Sequence, residues 1–166
     1  MIAIRVADER DANGCVRVLA RLPDFFTPDT HDDVRTSLAK HRAWVATEGG
    51  EVVGFVLVER RYATAAEITF AAVDPDWQGS GVGTGLVSCA LAALGQDGVV
   101  LVEVKTLDAT AAYEPYVATR AFWEHRGFHQ IDSIDPLPGW QPGNPSAIYV
   151  ASLSGSRDAL HPSVME

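Results

Sequence analysis

Apolar residues along the chain follow two different periods, and the order in which these periods occur predicts a mixed α/β domain. Runs rich in β-branched and aromatic residues are typical of strands, and they occupy residues 2–6, 43–47, 51–59, 67–73, 99–104, 131–134 and 146–153. Apolar residues three or four positions apart are typical of helices. Such segments follow Asp8, run from Thr30 or Asp32 to about Lys40, follow Gly85 and begin near Tyr116. We therefore expect antiparallel strands early in the chain and a strand–helix–strand unit later.

Several element boundaries carry turn or cap signals. Gly49-Gly50 separates two apolar runs, which is typical of a tight hairpin. Asp8 is followed three residues later by Asp11, close to the spacing of a capping box at the start of a helix. Residues 60–66 are interpreted as a short polar connection, and residues 154–166 as a polar tail without periodicity. The sequence thus predicts one domain over residues 1–153, followed by that tail.

The most informative stretch lies between the predicted strand 67–73 and the helix that follows it. It reads Val-Asp-Pro-Asp-Trp-Gln-Gly-Ser-Gly-Val-Gly-Thr-Gly, with glycines at positions 79, 81, 83 and 85. Glycine permits positive φ and lets a ligand approach the main chain closely. The first turn of a helix also presents unpaired N–H groups at the positive end of its dipole. This turn is therefore a candidate phosphate or pyrophosphate site.

Two common phosphate-binding motifs do not fit the turn. The nucleoside-triphosphate loop requires a lysine before its Ser or Thr, and residues 73–85 contain no lysine. The dinucleotide motif Gly-x-Gly-x-x-Gly fails in every register, because Thr84, Leu86 or Ser88 stands in the third glycine position. A tight turn without a ligand is the remaining simple interpretation of the glycines alone.

A different motif does fit, and a second one supports it. Gln78-x-x-Gly81-x-Gly83 resembles the acyl-CoA pyrophosphate loop of the GNAT superfamily of N-acetyltransferases. Residues 122–128, Phe-Trp-Glu-His-Arg-Gly-Phe, resemble the helix end that carries Phe/Leu-Tyr-Glu-x-x-Gly-Phe in that superfamily. The resemblance covers residues 1–153. It implies a mixed, mostly antiparallel sheet of six to seven strands that is splayed at the cofactor site, with about four helices.

The resemblance also implies the activity and the cofactor residues. The protein is expected to transfer acetyl from acetyl-CoA to a primary amine by direct attack in a ternary complex. The main chain freed at the splayed strand, near Ala72 and Val73, would hold the thioester carbonyl and the pantetheine arm, and Trp123 would pack along the cofactor. The residues expected at the pyrophosphate are Gln78, Gly79, Ser80, Gly81, Val82, Gly83 and Thr84.

Two catalytic roles are harder to assign. A base is useful because an alkylamine is mostly protonated at neutral pH. Glu67 is the acid in the strand that leads into the loop and is the first candidate for a water-mediated base, although it could equally face solvent; Glu103 is the second candidate. In the family motif a tyrosine protonates the leaving thiolate, but here that position is Trp123, whose indole N–H does not give up its proton.

Three explanations for this departure remain open. Tyr116 or Tyr113 could supply the proton, the thiolate could leave unassisted, or catalysis could have been lost. The last possibility defines an alternative function, a non-catalytic acyl-CoA-binding or regulatory module. For the acceptor side, Phe25 and Phe26 in a Pro-bounded loop and Trp140 in a Pro- and Gly-rich loop are the candidate contacts. A small-molecule amine and a protein or peptide amine both remain open as acceptors, as does a homodimer.

Composition excludes some classes of partner. The chain has 166 residues and a net charge of −9, without a Lys/Arg cluster, which disfavours nucleic-acid binding. An acidic surface suits a cationic acceptor. No apolar run approaches the ~18 residues that a membrane span needs, and we expect a cytoplasmic protein. His125 and His129 lack partners at ligand spacing, so no metal site is predicted; Cys15 and Cys89 are expected to be buried thiols.

Overall fold

A seven-stranded sheet organises residues 1–153, which are the residues that the computed structural model describes. The strands are β1 (Ala3–Val6), β2 (Arg42–Glu48), β3 (Glu51–Tyr62), β4 (Ala65–Val73), β5 (Leu101–Leu107), β6 (His129–Ile134) and β7 (Ser146–Ser152). The helices are α1 (Ala12–Ala20), α2 (Pro28–Leu38), α3 (Val82–Gln96) and α4 (Tyr116–Glu124). The predicted number and order of elements are confirmed. The predicted polar tail at 154–166 lies outside the described residues.

The sheet is antiparallel except at its centre, where it also comes apart. Its strand order is β1-β2-β3-β4-β5-β7-β6, and only the β4–β5 pair is parallel. That pairing ends at Ile68 and Val104, although β4 continues to Val73 and β5 to Leu107. The register of β4 against β3 shifts between Ile68 and Phe70, so the intervening residue forms a bulge. The predicted splay is confirmed, and it opens a gap in the middle of the sheet.

Each face of the sheet is covered by its own apolar cluster. On one face, Leu86, Val87 and Ala90 of α3 pack in a cluster that also contains Val102 of β5 and Trp123 of α4. The other face carries a second cluster, which contains Cys15, Val18 and Leu19 of α1, Leu22 of the following loop and Val34 of α2, together with Phe55 of β3 and Ala72 of β4. The gap between β4 and β5 therefore lies between two packed layers, which fix the positions of its walls.

The hairpin and the first helix begin as predicted. Gly49 and Gly50 have φ of 58° and 86°, and the β2–β3 hairpin turns at them. Asp8 and Asp11 form a reciprocal capping box on the short 3₁₀ turn that precedes α1. Arg5 donates to both carboxylate oxygens of Asp11 at 2.7 and 2.8 Å, which ties β1 to this turn.

Three predicted boundaries are wrong. Helix α2 begins at Pro28, after Thr27, instead of near Thr30 or Asp32, because proline is well suited to the first helical position. The supposed connection 60–66 is mostly strand, since β3 runs to Tyr62 and β4 starts at Ala65. Helix α3 begins at Val82, so the glycines at 83 and 85 are helical and only those at 79 and 81 take positive φ.

The prediction for the two cysteines is half right. Cys15 is buried, and burial raises the pKa of its thiol to about 12. Cys89 is exposed, because the buried face of α3 is formed by Leu86, Val87, Ala90 and Leu94 and position 89 falls outside it. In the described part of the chain, no group of His, Cys, Asp and Glu side chains is placed to hold a metal ion. None of the helices within residues 1–153 is both long and apolar enough to cross a membrane.

Candidate active site

A cleft of about 660 Å³ occupies the place where β4 and β5 diverge. One side is formed by residues 68–73 of β4 and residues 104–106 of β5. The glycine-rich turn and the start of α3 form its floor at one end, and α4 lies along it. The loop between α1 and α2 closes the other end through Leu22, Phe25 and Phe26. The cleft thus connects the phosphate turn with the acceptor loop, which are distant from each other in the sequence.

Side-chain bonds fix the turn between β4 and α3. The Asp74 carboxylate caps a short 3₁₀ turn by accepting from the Asp76 N–H at 3.0 Å, and it also accepts from Arg21 at 2.6 Å. The Gln78 amide Nε2 donates to the Val73 carbonyl at 3.0 Å, across the mouth of the turn. Gln78 therefore shapes the loop, in addition to lining the cleft.

The start of α3 presents main-chain N–H groups to the cleft. Gly81 is the N-cap with φ of 88° and has no side chain to cap the helix. The first helical bond runs from the Gly85 N–H to the Gly81 carbonyl at 2.9 Å, so the amides of residues 82–84 precede it in the chain. At Gly83 a Cβ would lie 3.1 Å from Cε2 of Phe122, so a side chain at this helix position would be tightly packed and the Phe122 ring would have to shift slightly. Such a helix start is suited to an anion.

The structure brings most predicted cofactor residues to this cleft. Its lining includes Ala72, Val73, Gln78, Gly79, Gly81, Gly83, Thr84 and Trp123. The side chains of Ser80 and Val82 point elsewhere: the Ser80 hydroxyl donates to the Trp77 carbonyl, and Val82 is buried in the apolar cluster under α3. These two residues can contribute only their main-chain groups to a ligand.

Arg126 is a cleft residue that the sequence analysis missed. Its guanidinium carbon lies 3.6 Å from the centre of the Phe122 ring, and Nη1 donates to the Phe122 carbonyl at 2.8 Å. Nη2 contacts the Thr84 hydroxyl in the first turn of α3. Burial lowers the pKa of Arg126, and its buried Nε has no hydrogen-bond partner among the described residues. A cation held without a carboxylate beside a helix start is chemically suited to a phosphate.

Glu67 has contacts that do not suit its predicted role as a base. It is only 6% exposed, it is absent from the described lining of the cleft, and both of its carboxylate oxygens are engaged. Arg61 Nε donates to Oε2 at 2.9 Å and Lys105 Nζ donates to Oε1 at 3.1 Å. Both oxygens are therefore occupied by cations, and neither is placed in the described lining of the cleft to receive a proton from an acceptor.

Glu103 belongs to the same charged cluster. One of its carboxylate oxygens lies 2.9 Å from Lys105 Nζ, and Glu103 also falls outside the described lining. Burial alone would lower the pKa of Lys105, but its bonds to Glu103 and Glu67 raise it, so the side chain stays an ammonium ion. Lys105 is therefore the member of this cluster that reaches the cleft, and it does so as a cation.

The two candidate groups on α4 have different environments. Trp123 is 4% exposed, and its ring packs edge-on against Phe122 and Phe128 at centroid distances of 5.0 and 5.1 Å. Tyr116 lines the cleft, with its ring 5.1 Å from that of Phe25 and its hydroxyl 3.4 Å from the Phe25 carbonyl. Burial raises the pKa of Tyr116, so its hydroxyl is protonated at neutral pH.

The predicted acceptor contacts fall in two neighbouring pockets. Phe25 and Phe26 line the main cleft. Trp140 lies in a second pocket of about 390 Å³, whose wall includes Asp24 and Tyr113. Tyr116 lines both pockets and separates the loop of Trp140 from the main cleft.

Comparison with known proteins identifies the family of this chain. A family model described as an acetyltransferase (GNAT) domain matches residues 39–130, more than half of the chain. The chain belongs to the GNAT acetyltransferase family. None of the curated proteins matches it.

Solved structures share the fold at low sequence identity. A protein described as an acetyltransferase of the GNAT family from Desulfovibrio desulfuricans is 22% identical, with a TM-score of 0.80 over 93% of this chain and 100% of its own. The ribosomal-protein-S18-alanine N-acetyltransferase of Escherichia coli is 19% identical, with a TM-score of 0.75 over 97% and 99% of the two chains. An aminoglycoside 6'-N-acetyltransferase complexed with coenzyme A is 20% identical, with a TM-score of 0.71 over 92% and 97%.

Proposed function

We propose that this protein transfers acetyl from acetyl-CoA to a primary amine by direct attack in a ternary complex. The observation that carries the proposal is the uncapped start of α3, which opens into the gap between β4 and β5. Amides of residues 79–84 would bind the pyrophosphate, and Arg126 would add a charged donor at the same end. A structural relative with coenzyme A bound supports this choice of cosubstrate.

The diverging strands suit the rest of the cofactor. Pantetheine carries two amides, and the part of β4 beyond Ile68 has no partner on the β5 side. Main-chain groups at Phe70, Ala71 and Ala72 would pair with that arm and with the thioester carbonyl. A hydrogen-bond donor aimed at the developing oxyanion is worth roughly 3–4 kcal/mol where side-chain donors of this kind have been removed from other enzymes.

For proton transfer we propose Tyr116 as the acid and a neutral amine as the nucleophile. Tyr116 lines the cleft and its burial keeps it protonated, so it can give a proton to the departing CoA thiolate. Both carboxylate oxygens of Glu67 are held in ion pairs with Arg61 and Lys105, and Glu67 lies outside the described lining of the cleft, so the proposed mechanism uses no enzyme base. The amine would enter after losing its proton in solution and attack the thioester carbonyl. As the C–S bond breaks, Tyr116 would protonate the thiolate, and the proton lost by the attacking nitrogen would return to the Tyr116 phenolate through solvent.

A second function remains a candidate because of one residue. Trp123 occupies the place of the family's tyrosine acid and cannot protonate a thiolate. The same fold could therefore bind acyl-CoA without turning it over, as a regulatory module.

Calorimetry with CoA, followed by thiol release from acetyl-CoA in a panel of amines, separates these functions. We expect CoA binding and amine-dependent release of thiol. CoA binding without turnover on any amine would favour the regulatory module, and no heat of binding would refute both.

A further inference from the structure

The end of the cleft opposite the phosphate turn is aromatic. Its wall is formed by Leu22, Phe25, Phe26, Phe70 and Tyr116. The Phe25 ring lies 6.5 Å from the Phe26 ring and 5.1 Å from the Tyr116 ring, both in tilted arrangements. Aromatic rings at these separations form a surface on which another ring can stack.

Hydrogen bonds fix the position of this wall. The N–H groups of Phe25 and Phe26 both donate to the Leu22 carbonyl at 3.1 Å. The Tyr113 hydroxyl donates to the Asp24 carbonyl at 3.2 Å, and the Tyr116 hydroxyl lies 3.4 Å from the Phe25 carbonyl. These bonds attach the loop to the start of α4, so a ligand does not have to order the loop before it binds.

The charges around the cleft have one sign. Among the described residues that line it, the charged side chains are those of Lys105 and Arg126, both cations. The nearby carboxylates Glu67 and Glu103 are held by Lys105, at 3.1 and 2.9 Å. A second ammonium group on an acceptor would enter the aromatic end of the cleft, where none of the described lining residues is a carboxylate that could pair with it, and burial of an unpaired charge is unfavourable.

Building on the function proposed above, we propose that the acceptor is a primary amine that carries an aromatic group and no second positive charge. The ring would lie against Phe25 and Phe26, with the amine directed toward the gap between β4 and β5. The net charge of −9 attracts cations to the surface as a whole, but the lining of this cleft has the opposite character. The geometry therefore points away from polyamines and aminoglycosides.

A matched pair of amines tests the proposal. 2-Phenylethylamine and 1,5-diaminopentane are primary alkylamines of similar length. The first carries an aromatic ring at the far end, and the second carries a second ammonium group there. Thiol release from acetyl-CoA should give a kcat/KM at least tenfold higher for 2-phenylethylamine. An equal or higher value for the diamine would overturn the proposal, and it would shift attention to Asp24 in the pocket beyond Tyr116.

Variants connect this preference to the wall. Phe25→Ala and Phe26→Ala should each raise KM for 2-phenylethylamine about tenfold and leave the Kd for CoA within twofold of the native protein. Val117→Ala is the matched control, because Val117 lies on the same helix as Tyr116, is 54% exposed and is outside the described lining. Melting curves show whether each variant is folded. An unchanged KM in both folded phenylalanine variants would refute the role of the wall.

The outcomes also distinguish this inference from the function on which it rests. Thiol release with amines that carry a second positive charge, but not with amines that carry an aromatic group, would refute the acceptor class. The acetyltransferase function would still stand. No release with any amine, despite CoA binding, would refute the acetyltransferase function itself.

Discussion

Replacement of Arg126 by methionine isolates the charge at the phosphate end of the cleft. Methionine keeps an unbranched apolar stem that can still cover the Phe122 ring, 3.6 Å from the guanidinium in the native protein. The Arg126 guanidinium is already partly desolvated in the folded protein, and this desolvation lowers its pKa. A hydrogen bond to a charged group contributes about 1.5–3 kcal/mol. The CoA dissociation constant should therefore rise roughly 10- to 150-fold.

Isothermal titration calorimetry with CoA measures this change directly. Arg126→Lys should recover part of the loss, because it restores a charge without the planar fork. Arg42→Met is the matched control: Arg42 also stacks on a ring, that of Trp44 at 4.8 Å, but pairs with Asp97 and lies outside the described cleft lining. A folded Arg126→Met protein that binds CoA within threefold of the native value would refute the assignment.

Further expectations concern the turn, the ion pairs and proton transfer. Gly83→Glu should abolish CoA binding in a protein that still folds, while Gly83→Lys, of similar size and opposite charge, should lose less; equal losses would mean that sterics alone explain the effect. Glu67→Gln should lower the free energy of unfolding by about 1–3 kcal/mol, since it weakens the bonds to Arg61 and Lys105, and leave kcat/KM and its slope against pH unchanged; a large loss of kcat/KM in the folded variant would identify Glu67 as the base. Tyr116→Phe should lower kcat by about 100-fold or more, because a general acid contributes roughly 10²–10⁴-fold, with CoA affinity kept. In the native protein, kcat/KM should rise about tenfold per pH unit up to the pKa of the amine, because only the neutral amine reacts and burial keeps Tyr116 protonated over that range; a plateau near neutral pH would indicate an enzyme base.

Local sequence signals predicted the order of strands and helices well. The periodicity of apolar residues and the turn and cap residues between segments located the strands and helices, and the two family motifs located the turn and α4. The boundaries that failed have simple causes. Pro28 starts a helix as readily as it breaks one, and glycine in the first turn of α3 gives no sequence sign of where the turn ends and the helix starts.

The roles of individual side chains were harder to predict, because they depend on partners distant in sequence. Glu67 is 38 residues from Lys105, one of the cations that stabilise it. Arg126 and Thr84 meet across 42 residues. An isolated arginine two positions before Phe128 carries no signal of its own, and only the packing of α4 against α3 brings it to the phosphate turn. The sequence predicted that the loop between β4 and α3 suits a phosphate, but it did not predict which charged side chains lie around that loop.

The short parallel pairing between β4 and β5 has a consequence for how occupancy can be observed. The four strands β1–β4 form one antiparallel block and β5, β7 and β6 form another, and within residues 1–153 four residue pairs join the two blocks in the sheet. A pantetheine arm lying in the gap would act as a partial extra strand between them. Amide hydrogen exchange along the free edge of β4 should then slow when CoA is added, which reports ligand binding even in a variant that has lost all turnover.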